Sequence, residues 1–299
     1  MIFTSGLSFP EGPVVLPDGS WLVVEMGAES GCVTQISPDG VTKRVIARTG
    51  RPNGLAVDKS GFIWVAESSQ SVLLRISMDG KVETVATECD GKPFLWPNDL
   101  CFGPDGALYM TDSGVRVRDF KVGTGHRPDY ETVKLDGRVY RIDPQSGQVR
   151  QLDGGLRFTN GIAFGPDGTL YVNETMTGMI YRYEWRSEHD LGSRESFGNS
   201  NPDRTTGFQG PDGMAFSTDG RLYVAVFKRG RVTVLGPNGS IVEHIPTHGQ
   251  KPTNVAFGLP GDKRIYVTEN EFGALEVFDV GVEGLPLFDG EKRNAGGLP

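Results

Sequence analysis

The sequence predicts an all-β fold: a six-bladed β-propeller with four antiparallel strands per blade, formed as a single domain by residues 1–299. Three observations carry this expectation. One unit recurs six times along the chain. Its spacing is close to the about 40–50 residues of a four-stranded blade. Glycine is abundant, with 42 residues beside 19 prolines, as many short strands joined by tight turns require.

The units read "PEGPVVLPDGSWLVVE" from Pro10, "PNGLAVDKSGFIWVAE" from Pro52, "PNDLCFGPDGALYMTD" from Pro97, "TNGIAFGPDGTLYVNE" from Thr159, "PDGMAFSTDGRLYVAV" from Pro211 and "TNVAFGLPGDKRIYVTE" from Thr253. Successive starts lie 42, 45, 62, 52 and 42 residues apart. Each unit is an apolar strand, a turn, and a second strand such as "WLVV" or "LYVN", which is a β-hairpin. A third run such as "SVLLRIS" and a fourth such as "KVETVAT" complete four strands. No such sheet can bury both faces alone, so six pack radially into one domain. Closure needs the last blade tied to the first, and "IFTSG" at residues 2–6 is placed to supply the outer strand of blade six.

Hairpin polarity locates a candidate site. The residue before the first strand and the residue ending the second lie at the same end of the hairpin, and the first strand is innermost in a propeller. Glu11, Asn53, Asn98, Asn160, Asp212 and Asn254 therefore converge on one mouth of the central tunnel. Taken singly, each reads as a turn former, because Asn-Gly and Asp-Gly side chains bond their own backbone. Taken together, they crowd one axis with oxygen donors, an arrangement that suits a cation. Glu11 and Asp212 match the charge of one divalent ion, and Asn oxygens fill out an all-oxygen shell, so calcium is the first choice, with Zn, Mg, Mn or Fe open. The acids ending the second strands, Glu25, Glu67, Asp112, Glu174 and Glu269, read as a solvated rim on the same side.

The insertion "SGVRVRDFKVGTGHRPDYETVKLDG", Ser113 to Gly137, explains the 62-residue spacing and should overhang the metal end. It reads as a long loop without secondary structure of its own, whose Arg116, Arg118, Lys121, His126 and Arg127 reach ring substituents of a substrate. Shortening it should leave thermal stability almost intact. The four histidines, His126, His189, His244 and His248, are scattered, and only His248 runs into a blade on the metal-bearing side.

Composition excludes several classes. A net charge of −8 without a Lys/Arg-rich run argues against nucleic acid. No apolar run approaches the roughly 20 residues that cross a bilayer, and the N-terminus lacks the pattern of a secretory signal, which together predict no membrane association and a cytoplasmic location. Cys32, Cys89 and Cys101 lack metal-type spacing and read as buried small hydrophobes. Gly-x-Ser-x-Gly, His-Glu-x-x-His, Walker and Cys-x-x-Cys motifs are missing. The sequence leaves the oligomeric state open.

The segments "FPEGP" at 9–13, "PND" at 97–99, "TNGIAFGPDGTLYV" at 159–172 and "GPDGMAF" at 210–216 resemble the gluconolactonase and regucalcin (senescence marker protein) family over nearly the whole chain, with diisopropyl fluorophosphatase as a more distant relative. The resemblance implies a divalent-metal-dependent hydrolase that opens a small-molecule lactone, with the ion in the tunnel polarising the carbonyl. It implies Glu11, Asn160 and Asp212 as metal ligands, Asp212 doubling as general base, and Asn98 as either a fourth ligand or a substrate contact that positions the carbonyl. Sugar-lactone relatives can carry an arginine where this chain has Trp96, so the implied substrate contact there is an apolar ring. A phosphotriesterase like the fluorophosphatase and a non-catalytic binding propeller with a structural metal remain the alternatives.

Overall fold

The computed structural model describes residues 1–122, 125–188 and 190–292; His189 lies outside the described residues. Six four-stranded antiparallel sheets form the six blades of a propeller. The innermost strands are Pro10–Val15, Pro52–Val57, Pro97–Phe102, Thr159–Phe164, Gly210–Phe216 and Pro252–Phe257. The second strands, which include Trp21–Glu25, Ile63–Glu67 and Leu108–Asp112, are buried on both faces. This burial explains their near-continuous apolar reading. Outer strands such as Lys43–Arg48 and Val82–Ala86 are largely exposed and carry the charged residues.

The ring closes as the sequence suggests. Ile2–Ser5 pairs antiparallel with Ala274–Asp279 as the fourth strand of blade six, with Ser5 opposite Ala274. Between blades six and one, the Thr253 hydroxyl donates to the Pro10 carbonyl at 2.8 Å. At the turn end of the tunnel, the segment after Asp279 crosses the blades: Leu285 N–H bonds the Phe216 carbonyl at 2.8 Å, and Phe288 packs edge-on against Phe164 at 5.7 Å. The polar mouth lies at the other end.

The blade-three insertion departs from expectation. It contains one helical turn, Val117–Phe120, and a two-stranded ribbon in which Lys121 pairs with His126. Phe120 and Leu135 sink into a cluster with Trp96, Phe158, Met176 and Phe208. The insertion is thus anchored by aromatic packing, which overturns the expectation that it is structureless and predicts that shortening it costs stability.

All three cysteines are free, with Cys32 and Cys89 buried and Cys101 partly so. Among the described residues, no helix is long and apolar enough to cross a membrane.

Candidate functional site

Each innermost strand changes register just where its polar residue stands: between Glu11 and Val14, Pro52 and Leu55, Pro97 and Leu100, Thr159 and Ile162, Pro211 and Met214, and Pro252 and Asn254. A bulge of this kind re-aims a side chain out of the strand's alternation. The six polar residues then contact one another across blades. Asn254 Nδ2 donates to Glu11 Oε2 at 2.9 Å, joining blades six and one. Asn53 Nδ2 donates to Asn98 Oδ1 at 2.8 Å, joining blades two and three. Asn98 Nδ2 donates to Ser113 Oγ at 2.8 Å, and Asn160 Nδ2 to Thr175 Oγ1 at 3.2 Å.

The glycines that follow Asn53 and Asp212 serve close approach rather than turns. A Cβ on Gly213 would lie 1.9 Å from Asn254 Cγ, and one on Gly54 would lie 2.7 Å from the Asp99 Cα. Neither glycine has a positive φ, so the turn-dipeptide reading does not apply to them. Blade three has Asp99 where blades one, two, four and five have this glycine, and its carboxyl joins the site. The sequence reading passed over Asp99, although the broken "x-Gly" pattern was its signal.

Three acids therefore share the mouth. Burial pushes the Glu11 carboxyl well above the usual range, and the nearby Asp212 and Asp99 push it further. Asp212 is raised by burial and by Asp99, with Asn160, Lys121 and Arg51 opposing. Burial raises Asp99 to about 7. Asp212 keeps a partial opening to solvent, whereas Glu11 and Asn160 are 2% and 5% exposed. The Asn160 Oδ1 is buried and has no hydrogen-bond partner. Mutually repelling carboxylates beside an orphaned carboxamide oxygen fit a hard divalent cation, which would satisfy the oxygen and offset the repulsion. Among the described residues, no group of three or more His, Cys, Asp or Glu side chains stands in metal-binding spacing. A metal here would need the amide oxygens.

Four of the five acids ending the second strands are not a solvated rim, while Glu25 is half-buried. Glu67, Asp112 and Glu269 are fully buried, and Glu174 nearly so. Asp112 accepts from the backbone N–H groups of Leu95, Trp96 and Gly114 at 2.6, 3.0 and 2.9 Å. Glu269 likewise accepts from Lys251, Glu271 and Phe272 at 2.9, 3.0 and 2.8 Å. In blades two, three and six, N–H groups of the chain entering the innermost strand or leaving the second strand are left unpaired by the ladder, and these carboxylates accept from them.

Trp96 is buried, with its edge toward Phe120 and Phe158, and the guanidinium of Arg51 lies 5.0 Å above its ring. The ring face expected to meet substrate is taken up by Arg51. Arg51 itself, two residues before Asn53, reaches Ser68 Oγ at 2.7 Å and Asn53 Oδ1 at 3.4 Å. Burial lowers it to about 10. A sequence reading that looked for the cation in blade three missed it in blade two, where "RPN" stood at 51–53. Arg116 and Arg118 line a cleft with Arg51 and Lys121. His126 stacks on Phe208 at 4.4 Å, and burial, then Lys121 and Lys228, lower it to about 4, so it is neutral at neutral pH. His248 pairs with Glu276 at 3.1 Å in the third strand of blade six, away from the innermost strands.

A six-bladed propeller whose innermost strands bring carboxylates and carboxamides to one tunnel mouth defines a class of propeller proteins built around an oxygen-donor centre. Sequence comparison narrows the class: the chain belongs to the SMP-30/gluconolactonase/LRE-like family, whose profile matches residues 9–271. It is 27% identical over 279 residues to the gluconolactonase of Zymomonas mobilis, covering 87% of this chain and 76% of that protein. It is also 27% identical over 294 residues to the diisopropyl-fluorophosphatase of Loligo vulgaris, covering 92% of this chain and 90% of that protein. A solved gluconolactonase structure from Xanthomonas campestris superposes with a TM-score of 0.76 at 26% identity, covering 95% of this chain and 88% of that one.

Proposed function

We propose that the protein is a divalent-metal-dependent lactonase, acting on a sugar lactone or related cyclic ester. The observation that carries this reading is the unpartnered, buried Asn160 Oδ1 beside Glu11 and Asp212 in a propeller of the gluconolactonase family. Glu11, Asn160 and Asp212 would hold the ion, with Asn98 beside them. When bound, a divalent ion, calcium first, would supply Lewis-acid polarisation of the lactone carbonyl.

The chain's own residues supply the rest. Asp212, partly open to solvent, takes a proton from the attacking water. Lys121 and Arg51 favour its ionised form, which a base requires. Asn98 spends one amide hydrogen on Ser113 and keeps the other for the carbonyl oxygen of the substrate. Asn53 fixes the rotation of that amide by donating to its oxygen.

The test is a panel of lactones followed by acid release, with and without chelator. Turnover that chelation abolishes and calcium restores supports the reading; turnover indifferent to chelation removes the metal from it. Phosphotriester hydrolysis is the second reading, favoured by the likeness to the fluorophosphatase over 90% of that protein, so a chromogenic phosphotriester belongs in the same panel. Cation binding without turnover of any ester would leave a binding propeller with a structural metal.

A further inference from the structure

The end of the tunnel opposite the mouth is crossed by the chain that follows the last strand. Residues 280–292 leave blade six and run over the turn ends of the blades toward blades two and three. Val280 N–H donates to the Lys263 carbonyl of blade six at 2.9 Å, and Leu285 N–H to the Phe216 carbonyl of blade five at 2.8 Å. The strap accepts in turn: Thr218 N–H of blade five donates to the Glu283 carbonyl, and Lys59 N–H of blade two to the Asp289 carbonyl, each at 2.9 Å. An antiparallel bridge joins Lys292 to Asp105 in blade three. Apolar residues of the strap step from blade to blade at every third position. Val282 packs against the cluster of Phe257, Leu285 against that of Phe216, and Phe288 lies in that of Phe102 and Phe164. Those four phenylalanines are the last residues of innermost strands.

Between the mouth and the strap the axis is hollow. Two or three residues past the mouth residue, the six innermost strands carry Val14, Ala56, Cys101, Ala163, Ala215 and Ala256, none larger than valine. Cys101, Ala163, Ala215 and Ala256 are partly exposed although both chain neighbours of each are buried. These small side chains therefore border open space along the axis, the central channel of a propeller. Phe288 is 8% exposed and meets Phe164 edge-on at 5.7 Å, so its ring stands at the foot of the innermost strands of blades three and four. The strap is pressed close. A Cβ on Gly284 would lie 2.2 Å from Phe257 Cβ, and one on Gly106 would lie 2.7 Å from the Gly290 carbonyl oxygen.

We propose that the strap is a stopper: with Phe288 as its plug it closes the turn end of the tunnel, so that the hollow below the mouth is a blind chamber entered only past Glu11, Asn98, Asn160 and Asp212. Water, ions and small molecules then reach the chamber by way of the candidate site and leave by the same route. Lifting the strap breaks contacts with several blades at once, which keeps the far end shut while single blades fluctuate. The stopper is independent of the reaction assigned to the mouth.

Cys101, on the chamber wall, reports on the seal. The parent protein, Phe288→Ala and Phe288→Leu are treated with N-ethylmaleimide, and labelling of each cysteine is timed by mass spectrometry of its peptide. Cys32, in the third strand of blade one, and Cys89, beyond the outer strand of blade two, are buried away from the axis and serve as controls, because unfolding exposes all three thiols together. Phe288→Ala should speed labelling of Cys101 by about tenfold or more, the scale expected when a buried ring that holds a local closure is lost. Phe288→Leu, which keeps an apolar plug, should speed it less, and Cys32 and Cys89 should keep the parent rate in both variants. Three results would overturn the proposal: a parent Cys101 that reacts as fast as free glutathione, a Cys101 rate that Phe288→Ala leaves unmoved, or a rise shared equally by all three cysteines, which would make Phe288 a residue of stability alone. The assay uses neither substrate nor metal, so its outcome is separate from that of the lactone panel.

Discussion

Replacing Asp99 by Asn tests whether three acids at the tunnel mouth repel one another until a cation arrives. Burial holds Asp99 at about 7, against an ordinary 3.8. A carboxyl whose folded value is raised binds its proton more tightly in the folded chain, so stability is highest below the ordinary value and falls as pH rises through the window from 3.8 to about 7. Three pKa units at 1.36 kcal/mol each give about 4 kcal/mol as the upper figure for the loss above pH 7. Asn keeps an oxygen for the Leu100 N–H, which Asp99 Oδ1 now accepts at 2.9 Å, and carries no charge. The chelated D99N protein should therefore be more stable than the chelated parent at pH 8, by about 2–4 kcal/mol, and indistinguishable from it near pH 4. Added calcium should narrow the gap, because it stabilises the parent by offsetting the charge buried at Asp99 and binds D99N less tightly. Urea melts at pH 4, 6 and 8, with chelator and with calcium, read all of this out. A chelated D99N protein less stable than the parent at pH 8 would refute the reasoning, because it would mean that Asp99 is held ionised by favourable contacts.

Asp212→Asn should keep the fold and lower lactone turnover by at least about 100-fold, the usual scale of a lost general base; parent-like rates in a variant that retains metal by elemental analysis would take Asp212 out of that role. Phe120→Ala, at a fully buried ring of the insertion's anchor, should cost about 3–5 kcal/mol and lower Tm by at least about 6 °C, whereas an unchanged Tm would return the insertion to the status of a detachable loop. Asp112→Ala strands three backbone N–H groups and should cost about 3 kcal/mol or more, with Asp112→Asn intermediate because one acceptor oxygen remains; equal stability of all three proteins would mean that water replaces the carboxylate.

The fold was legible because its signal is repeated. Six copies of one hairpin fix strand polarity, and polarity fixes which residues share an end, so the meeting of Glu11 with Asn254 and of Asn53 with Asn98 follows from pattern alone. Burial was not legible at the same ends. An acid closing a strand looks the same in sequence whether it faces water, as the rim reading had it, or caps backbone donors, as Glu67, Asp112 and Glu269 do. What separates the two is the path of the chain entering the innermost strand, which periodicity does not encode. The insertion failed for a related reason: Phe120 and Leu135 show no period, and their partners Trp96, Phe158 and Phe208 come from three separated stretches of chain.

Repetition also explains where chemistry has to be sought. A sixfold ring of identical residues could offer a cation nothing but equivalent oxygens, and an asymmetric ester needs unlike groups on its different sides. Each departure from the repeat supplies one. Glu11 and Asp212 put carboxylates where the other four positions all carry Asn, and Asp99 puts a carboxyl where the neighbouring blades have glycine. Arg51 stands before Asn53 where the equivalent place before Asn98 holds Trp96, and the two departures are coupled, since the guanidinium lies on that ring. The largest departure, the insertion from Ser113 to Gly137, places Arg116, Arg118 and Lys121 on the Arg51 side of the mouth. Acids and carboxamides thus gather at the axis and cations gather toward blades two and three, a polarity that no ring of six identical residues could supply.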